Sequence, residues 1–341
     1  MRGLRTLALT LACTLAASPV LAAKKPASSP ADQTDAAQSK ALISFQRDLV
    51  SVLAPRADAL PLLGAALLAR PLPNQPKTNS FHSLIARAAQ APDSDAGPAV
   101  TWARLADCDA KADACPNSNA LSQLVTQAPD NAAVWLLKLG QDVRDMKQQD
   151  ARTDLSKAAA AKQYDDYTGI TLKALASTVS TLPPPADTIP HGSTAGASGV
   201  QAMIVFGTAA AQPQPGLRAT AELCDHAADD AAIKSDCLAL GKTLEWGSSP
   251  LARSLGLHLR ETLNTDPAQQ EDARHARLNL IWQVQNFAEL SARSQSEPAV
   301  AQHLLGLART GGTQMSLLLA ALRDYSIPTD APADWQPHKA E

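Results

Sequence analysis

The amino-acid sequence predicts an all-α protein, from its composition and from the spacing of its leucines. Hydrophobic residues make up 45% of the 341 residues but aromatic residues only 4%, so alanine and leucine supply most of the apolar surface. This composition favours closely packed helices, because strands are enriched in aromatic and β-branched residues. Leucine recurs at every fourth position from Leu251 to Leu263, which places it on one face of a helix. We expect about fourteen or fifteen helices, packed as consecutive antiparallel hairpins in one curved array or in two lobes.

Residues 1–23 have the pattern of a secretory signal peptide. Arg2 and Arg5 precede a short apolar stretch that ends in small residues, so cleavage is expected after Ala22 or Ala23. A membrane anchor is the alternative, but the apolar stretch is short for a membrane span, and no other segment is suited to cross a membrane. The chain also resembles exported proteins of Gram-negative bacteria. We therefore expect a periplasmic protein.

The mature chain begins with a polar, proline-containing segment, residues 24–38, that we expect to be flexible. Helices are expected from residue 39 onward, where Phe45 and Leu49 have helical spacing. A second helix is expected at 59–69, and further helices with short polar breaks follow it. This first half of the chain is therefore predicted to be a series of helices with short connections.

The clearest boundary in the sequence lies at residues 182–199, where three consecutive prolines precede a stretch rich in glycine, serine, threonine and alanine. We interpret it as a linker between a helical lobe at 39–181 and a second helical lobe at 200–326. Ser-Pro and Asp-Pro pairs in the second lobe mark the starts of helices. The tail at 327–341 contains three prolines and is expected to be irregular.

Four cysteines lie outside the leader, at Cys108, Cys115, Cys224 and Cys237. An even number of cysteines in an exported protein predicts two disulfides. Three pairings are possible, and we expect the local one, Cys108–Cys115 with Cys224–Cys237. A metal site of Cys224, His226 and Cys237 is the alternative, but its spacing matches no common zinc pattern.

Large aromatic residues recur at intervals close to a known repeat length. Trp102 and Trp135 are 33 residues apart in similar sequence settings, and Tyr167 lies 32 residues further on. Residues 95–180 therefore resemble tetratricopeptide repeats, whose unit has about 34 residues. The resemblance implies stacked helical hairpins with a concave inner face, whereas an irregular helical bundle is the alternative. The three aromatic residues either pack in the core or line the inner wall of a groove.

Charge and motifs exclude several classes of function. The formal net charge of −3 makes nucleic acid and anionic membrane surfaces poor partners. Gly241, Lys242 and Thr243 are similar to the end of a phosphate-binding loop, but Asp236 stands where that loop needs a glycine. The sequence contains no motif that predicts a cofactor, a resident metal or a catalytic triad.

A stack of helical hairpins offers a broad surface, and such surfaces mostly bind peptides or proteins. The leading hypothesis is therefore a periplasmic interaction or scaffold module with a protein or peptide partner and no catalysis. One alternative is a carrier of a small molecule or lipid, with an apolar cavity between helices. The other is an enzyme whose site lies between the lobes and combines Asp165 or Asp166 with His226 or His258.

Overall fold

The computed structural model describes residues 30–92, 96–108, 117–226 and 230–337. Across these ranges the chain forms fifteen α-helices and no strand, and a single isolated bridge joins Asn131 to Gln163. The all-α prediction is confirmed. In the first half of the chain the helices are α1 (Pro30–Leu53), α2 (Ala59–Ala69), α3 (Phe81–Ala88), α4 (Gly97–Arg104), α5 (Ser118–Gln127), α6 (Ala132–Arg144), α7 (Gln148–Ala160) and α8 (Thr168–Val179). In the second half they are α9 (Gly196–Ala210), α10 (Leu217–Asp225), α11 (Ala231–Leu244), α12 (Pro250–Leu263), α13 (Pro267–Arg293), α14 (Pro298–Thr310) and α15 (Gln314–Asp324).

The N-terminal helix starts earlier than the sequence pattern indicated. Helix α1 begins at Pro30, so the part of the expected flexible segment 24–38 from residue 30 onward is helical. Residues 1–29, which include the expected leader, lie outside the described residues. Within the described ranges, no helix combines the length and the hydropathy needed to cross a membrane.

Three clusters of buried apolar residues hold the helices together. The first joins α1–α4 to α8, α9 and α14, and the second joins α4–α7 to α10–α12. The third lies among α12–α15. Helices from both sides of residues 182–199 share each of the first two clusters, so these cores do not follow the order of the chain. Whether the two halves can fold independently stays a prediction.

The segment 182–199 packs on the protein rather than crossing free solvent. It contains a short 3-10 helix, Ala186–Thr188, and Thr188 is buried. The Gln38 side chain of α1 donates a hydrogen bond to the Thr188 carbonyl oxygen at 3.3 Å. The segment therefore contacts α1 before it reaches α9.

Packing between helices is both sequential and long-range. Helix α6 packs on α7 and α11 on α12, as successive hairpins would, but α2 also packs on α8 and α7 on α11. A regular repeat array has contacts mainly between neighbouring repeats. The arrangement of tetratricopeptide repeats is therefore not confirmed, and that resemblance stays a prediction.

One of the two expected disulfides is present. Cys224 at the end of α10 bonds to Cys237 in α11, and both side chains are fully buried in the second cluster. A covalent loop of this length stabilises a fold by about 2–3 kcal/mol, chiefly through the unfolded chain. The pairing of Cys108 with Cys115 cannot be placed, because Cys115 lies outside the described residues.

The tail is irregular as far as residue 337 and lies against α13. The Trp282 indole donates a hydrogen bond to the Pro328 carbonyl oxygen at 2.8 Å, and its ring meets that of Trp335 edge-on at 5.3 Å. The tail therefore covers part of the outer face of α13.

Candidate functional site

The three aromatic residues of the expected groove do not share one environment. Trp102 is almost fully buried in the second cluster, and its indole donates a hydrogen bond to the Pro213 carbonyl oxygen at 3.1 Å. Tyr167 lies beside it, with the two rings in an edge contact at 5.5 Å. Trp135 is partly exposed and donates a hydrogen bond to the Pro129 carbonyl oxygen at 2.7 Å. Trp102 and Tyr167 thus come together in the core, while Trp135 is tied to the residues that precede its own helix.

Tyr167 nevertheless belongs to the most unusual local structure of the protein, the Tyr164–Tyr167 turn between α7 and α8. Tyr167 has a positive φ of 55°, in the left-handed region that few non-glycine residues adopt. It directly precedes α8. A conformation of this kind persists only where the surrounding contacts fix the backbone.

A buried asparagine supplies those contacts from one side. Asn131 is fully buried, and its side chain both donates to the Asp165 carbonyl oxygen at 2.7 Å and accepts from the Asp165 N–H at 2.9 Å. It also caps α6 by accepting from the Ala133 N–H at 3.1 Å. The carbonyl oxygen of the preceding Asp130 accepts from the N–H groups of Lys162 and Gln163. The start of α6 and the turn therefore form one hydrogen-bonded unit.

Ser248 fixes the turn from the other side. Its hydroxyl accepts from the Asp166 N–H and donates to Asp166 Oδ1, both at 3.1 Å. Its N–H donates to the Tyr164 carbonyl oxygen at 3.1 Å, and its own carbonyl oxygen accepts from the Met315 N–H at 2.9 Å. Ser248 thus joins the turn, the start of α12 and the start of α15.

The turn holds two neighbouring carboxylates that no cation of the described residues pairs with. Asp166 is buried and Asp165 is half-buried. Across the described residues, no lysine, arginine or histidine forms an ion pair with either of them. Burial raises the pKa of Asp165, and the negative charge of Asp166 adds to the shift. A carboxyl group such as that of Asp165, whose pKa is shifted by burial and by a neighbouring charge, is a candidate for a functional site.

The same environment shifts the pKa of Tyr164, at the start of the turn. Burial and the negative charge of Asp166 raise the pKa of Tyr164. Its hydroxyl is buried and has no hydrogen-bond partner among the described residues. The phenol is therefore neutral at any physiological pH.

A cavity of about 390 Å³, which we call the Asp166 groove, opens on one side of the turn. Helices α8, α9, α12, α13 and α15 form its walls, and Asp166 lies among the polar groups that line it. The apolar walls contain Leu172, Phe206, Ala209, Ala210, Pro250, Leu251, Val284, Phe287 and Leu317. The polar lining consists of Asp166, Thr168, Gln214, Ser249 and Gln314. The groove thus combines a large apolar surface with a single charged side chain.

The rim of this groove exposes large apolar side chains to solvent. Leu251 is 61% exposed and Val284 is 37% exposed. Exposed apolar residues next to one another and next to a groove typically mark an interaction site.

A second cavity, of about 450 Å³, also lies beside the turn and is lined by Asp165 rather than Asp166. Lys162, Lys242 and Trp246 also line it, and Trp246 is 77% exposed. Asp165 and Asp166, although adjacent in sequence, therefore line two different cavities.

The histidines expected to complete a catalytic site are not paired with the turn in the part of the chain that the structure describes. His258 forms a loose ion pair with Asp225 at 3.8 Å, and His226 is exposed at the end of α10. The described hydrogen bonds of Asp165 and Asp166 go to backbone N–H groups and to Ser248. The structure therefore does not join these carboxylates to either histidine by a hydrogen bond or an ion pair.

The expected alternative of a cysteine-containing metal site is excluded, because Cys224 and Cys237 are bonded to each other. Within the described ranges, no group of three or more histidine, cysteine, aspartate and glutamate side chains is arranged to hold a metal ion.

No family model, curated protein or solved structure matches this chain. The function is therefore inferred from the geometry of the Asp166 groove. The sequence identifies Asp165, Asp166 and Tyr167 as candidate residues, but not Ser248 or the groove. Ser248 lies 82 residues from Asp166, and no local pattern marks such a contact.

Proposed function

We propose that this protein binds a segment of another protein or a peptide in the Asp166 groove, without catalysing a reaction. The observation that carries this proposal is an open apolar groove with exposed Leu251 at its rim. A peptide side chain placed there would remove apolar surface from water on both partners. Helical proteins commonly bind peptides through such inter-helix grooves.

The shape of the cavity favours a peptide over a lipid or another carried small molecule. A volume of about 390 Å³ is near the lower end of the range for small-molecule sites, about 300–1,000 Å³. A carrier would be expected to enclose its cargo, but this groove opens to solvent beside Leu251 and Val284. The carrier remains the second candidate because the walls are mainly apolar.

We propose the periplasm as the site of action. The buried Cys224–Cys237 disulfide supports this location, because disulfides are stable mainly in oxidising compartments. The expected signal peptide at residues 1–23 supports it independently. A kinship with tetratricopeptide-type proteins also stays a proposal, supported by the aromatic spacing and by the packing of α6 on α7.

Filling the groove is expected to abolish peptide binding. Ala210 lines the groove and is exposed, so Ala210→Trp places an indole in the cavity without disturbing the core. Peptides selected from a random library on the wild-type protein are expected to bind this variant at least ~10-fold more weakly, because the indole displaces an apolar anchor. Fluorescence anisotropy of labelled peptides measures the affinities.

Ala288→Trp is the matched control. Ala288 is equally exposed on α13 but does not line the groove, so its variant is expected to bind as wild type does. Equal affinities of both variants would exclude the groove as the binding site. A library that yields no peptide, together with a small molecule that co-purifies with wild type but not with Ala210→Trp, would favour the carrier instead.

A further inference from the structure

We propose that Asp166 selects a peptide that carries a lysine or arginine beside apolar residues, an inference that rests on the proposed function. The Asp166 groove has fourteen lining residues, and Asp166 is the one charged residue among them. No cation of the described residues neutralises it. A buried carboxylate without a counter-charge is unfavourable, and a cation brought by the occupant would offset that cost.

The hydrogen bonds of Asp166 leave one oxygen for such a cation. Oδ1 accepts from the Ser248 hydroxyl at 3.1 Å and from the Thr168 N–H at 3.2 Å. Oδ2 accepts no hydrogen bond from the described residues, and it is not among the fully buried atoms that lack a partner. The carboxylate is therefore held in place through Oδ1, while Oδ2 keeps its capacity to accept a hydrogen bond from a ligand in the groove that Asp166 lines.

The surrounding groups fit the rest of a cationic side chain. Gln314 and Ser249 line the same groove and can supply further oxygen acceptors, and an ammonium or guanidinium group needs several. Leu172 and Phe206 offer apolar surface to the methylene stem, which lysine and arginine typically bury. A peptide with a basic residue next to apolar ones would satisfy both parts of the groove.

The charge also explains what the groove would reject. An acidic residue at the same place would add a second negative charge to an unneutralised carboxylate, and like charges in contact oppose binding strongly. A purely apolar peptide would cover Asp166 without supplying a counter-charge. The groove therefore discriminates by charge as well as by shape.

The experiment compares one selected peptide in two forms, with its lysine intact and with that lysine replaced by norleucine, which has nearly the same shape and no charge. Wild type is expected to bind the lysine form about 30-fold more tightly or better, the effect of a desolvated charge pair. Asp166→Asn is expected to bind the two forms equally. Asp165→Asn is the matched control, and it should keep the wild-type preference because Asp165 lines the other cavity.

If Asp166→Asn does not fold, the wild-type protein alone tests the inference. Equal binding of the lysine and norleucine forms by wild type would overturn it. A preference for lysine that survives in a folded Asp166→Asn variant would also overturn it. So would a short alkylamine that binds wild type as tightly as the peptide does. These outcomes differ from the one that would contradict the proposed function. In that case Ala210→Trp would bind every selected peptide as tightly as wild type does.

Discussion

Replacing Lys138 by methionine is expected to destabilise the protein by about 2–3 kcal/mol. The Lys138 ammonium lies between two carboxylates, 2.6 Å from Asp142 Oδ2 and 2.9 Å from Asp154 Oδ2. Both acids are buried, and Lys138 itself is about one-third exposed, so the effect is set below the ~3–5 kcal/mol of a fully buried pair. The cluster of Lys138, Asp142 and Asp154 links α6 to α7, and only three residues connect these two helices in the chain. Urea denaturation measures the change in the free energy of unfolding.

The pH dependence of this loss gives a second readout. Burial and the nearby Asp142 raise the pKa of Asp154 from 3.8 to about 6. Between these pH values the folded state holds more protons than the unfolded state, so this group makes the free energy of unfolding fall as pH rises. The positive charge of Lys138 favours the ionised forms of Asp142 and Asp154, and the methionine variant lacks this charge. The cost of Lys138→Met should therefore be larger at pH 7 than at pH 4.5, where Asp154 is largely protonated.

Lys147→Met is the matched control for this cluster. Lys147 is exposed and lies 3.6 Å from Asp142 Oδ1, so its removal leaves Lys138 in place and should change stability little. Equal losses in the two variants, or a loss for Lys138→Met that grows toward acid pH, would contradict this account of the cluster.

Replacing Gly169 by alanine is the second change with a large expected effect. A Cβ atom at this position would lie 1.8 Å from the Gly312 carbonyl oxygen and 3.0 Å from the Thr313 Cα. Both contacts are to backbone, so α8 and the segment before α15 would have to move apart. We expect a loss of about 2–3 kcal/mol in the free energy of unfolding, at the upper part of the range for overpacked sites.

The same change should weaken peptide binding, because α15 supplies Gln314 and Leu317 to the Asp166 groove. Gly207→Ala in α9 is the control, since a Cβ atom there meets nothing within 4 Å. It should leave stability unchanged or raise it by about 0.5–1 kcal/mol through helix propensity. A Gly169→Ala variant as stable as Gly207→Ala would show that the close approach of α8 to Gly312 is not required.

The sequence predicted the fold class and many helix bounds because helical spacing and proline positions are local properties. Helix α2 lies at the predicted residues 59–69, and α12 and α13 begin at the prolines of the Ser-Pro and Asp-Pro pairs, Pro250 and Pro267. Helix α1 begins before the predicted start because Pro30 is compatible with a first helical turn. Local sequence patterns were thus sufficient to predict where single helices lie.

The groove could not be predicted in the same way. Its walls come from five helices on both sides of residues 182–199, and Leu172 and Phe206 have the same helical spacing as ordinary core residues. Helical spacing shows which residues share a face, but not which other helix covers that face. The acidic cluster at Asp165 and Asp166 was visible in the sequence, whereas the absence of a cationic partner is a tertiary property.

Photo-crosslinking from the rim of the groove tests the central claim most directly. Benzoylphenylalanine in place of Leu251, the 61% exposed rim residue, is expected to crosslink to a selected lysine-containing peptide. Excess unlabelled peptide should suppress the crosslink, and the same probe in place of exposed Glu222 on α10 should give none. Crosslinking from position 222 but not from 251 would show that the peptide binds elsewhere and would contradict the assignment of the Asp166 groove.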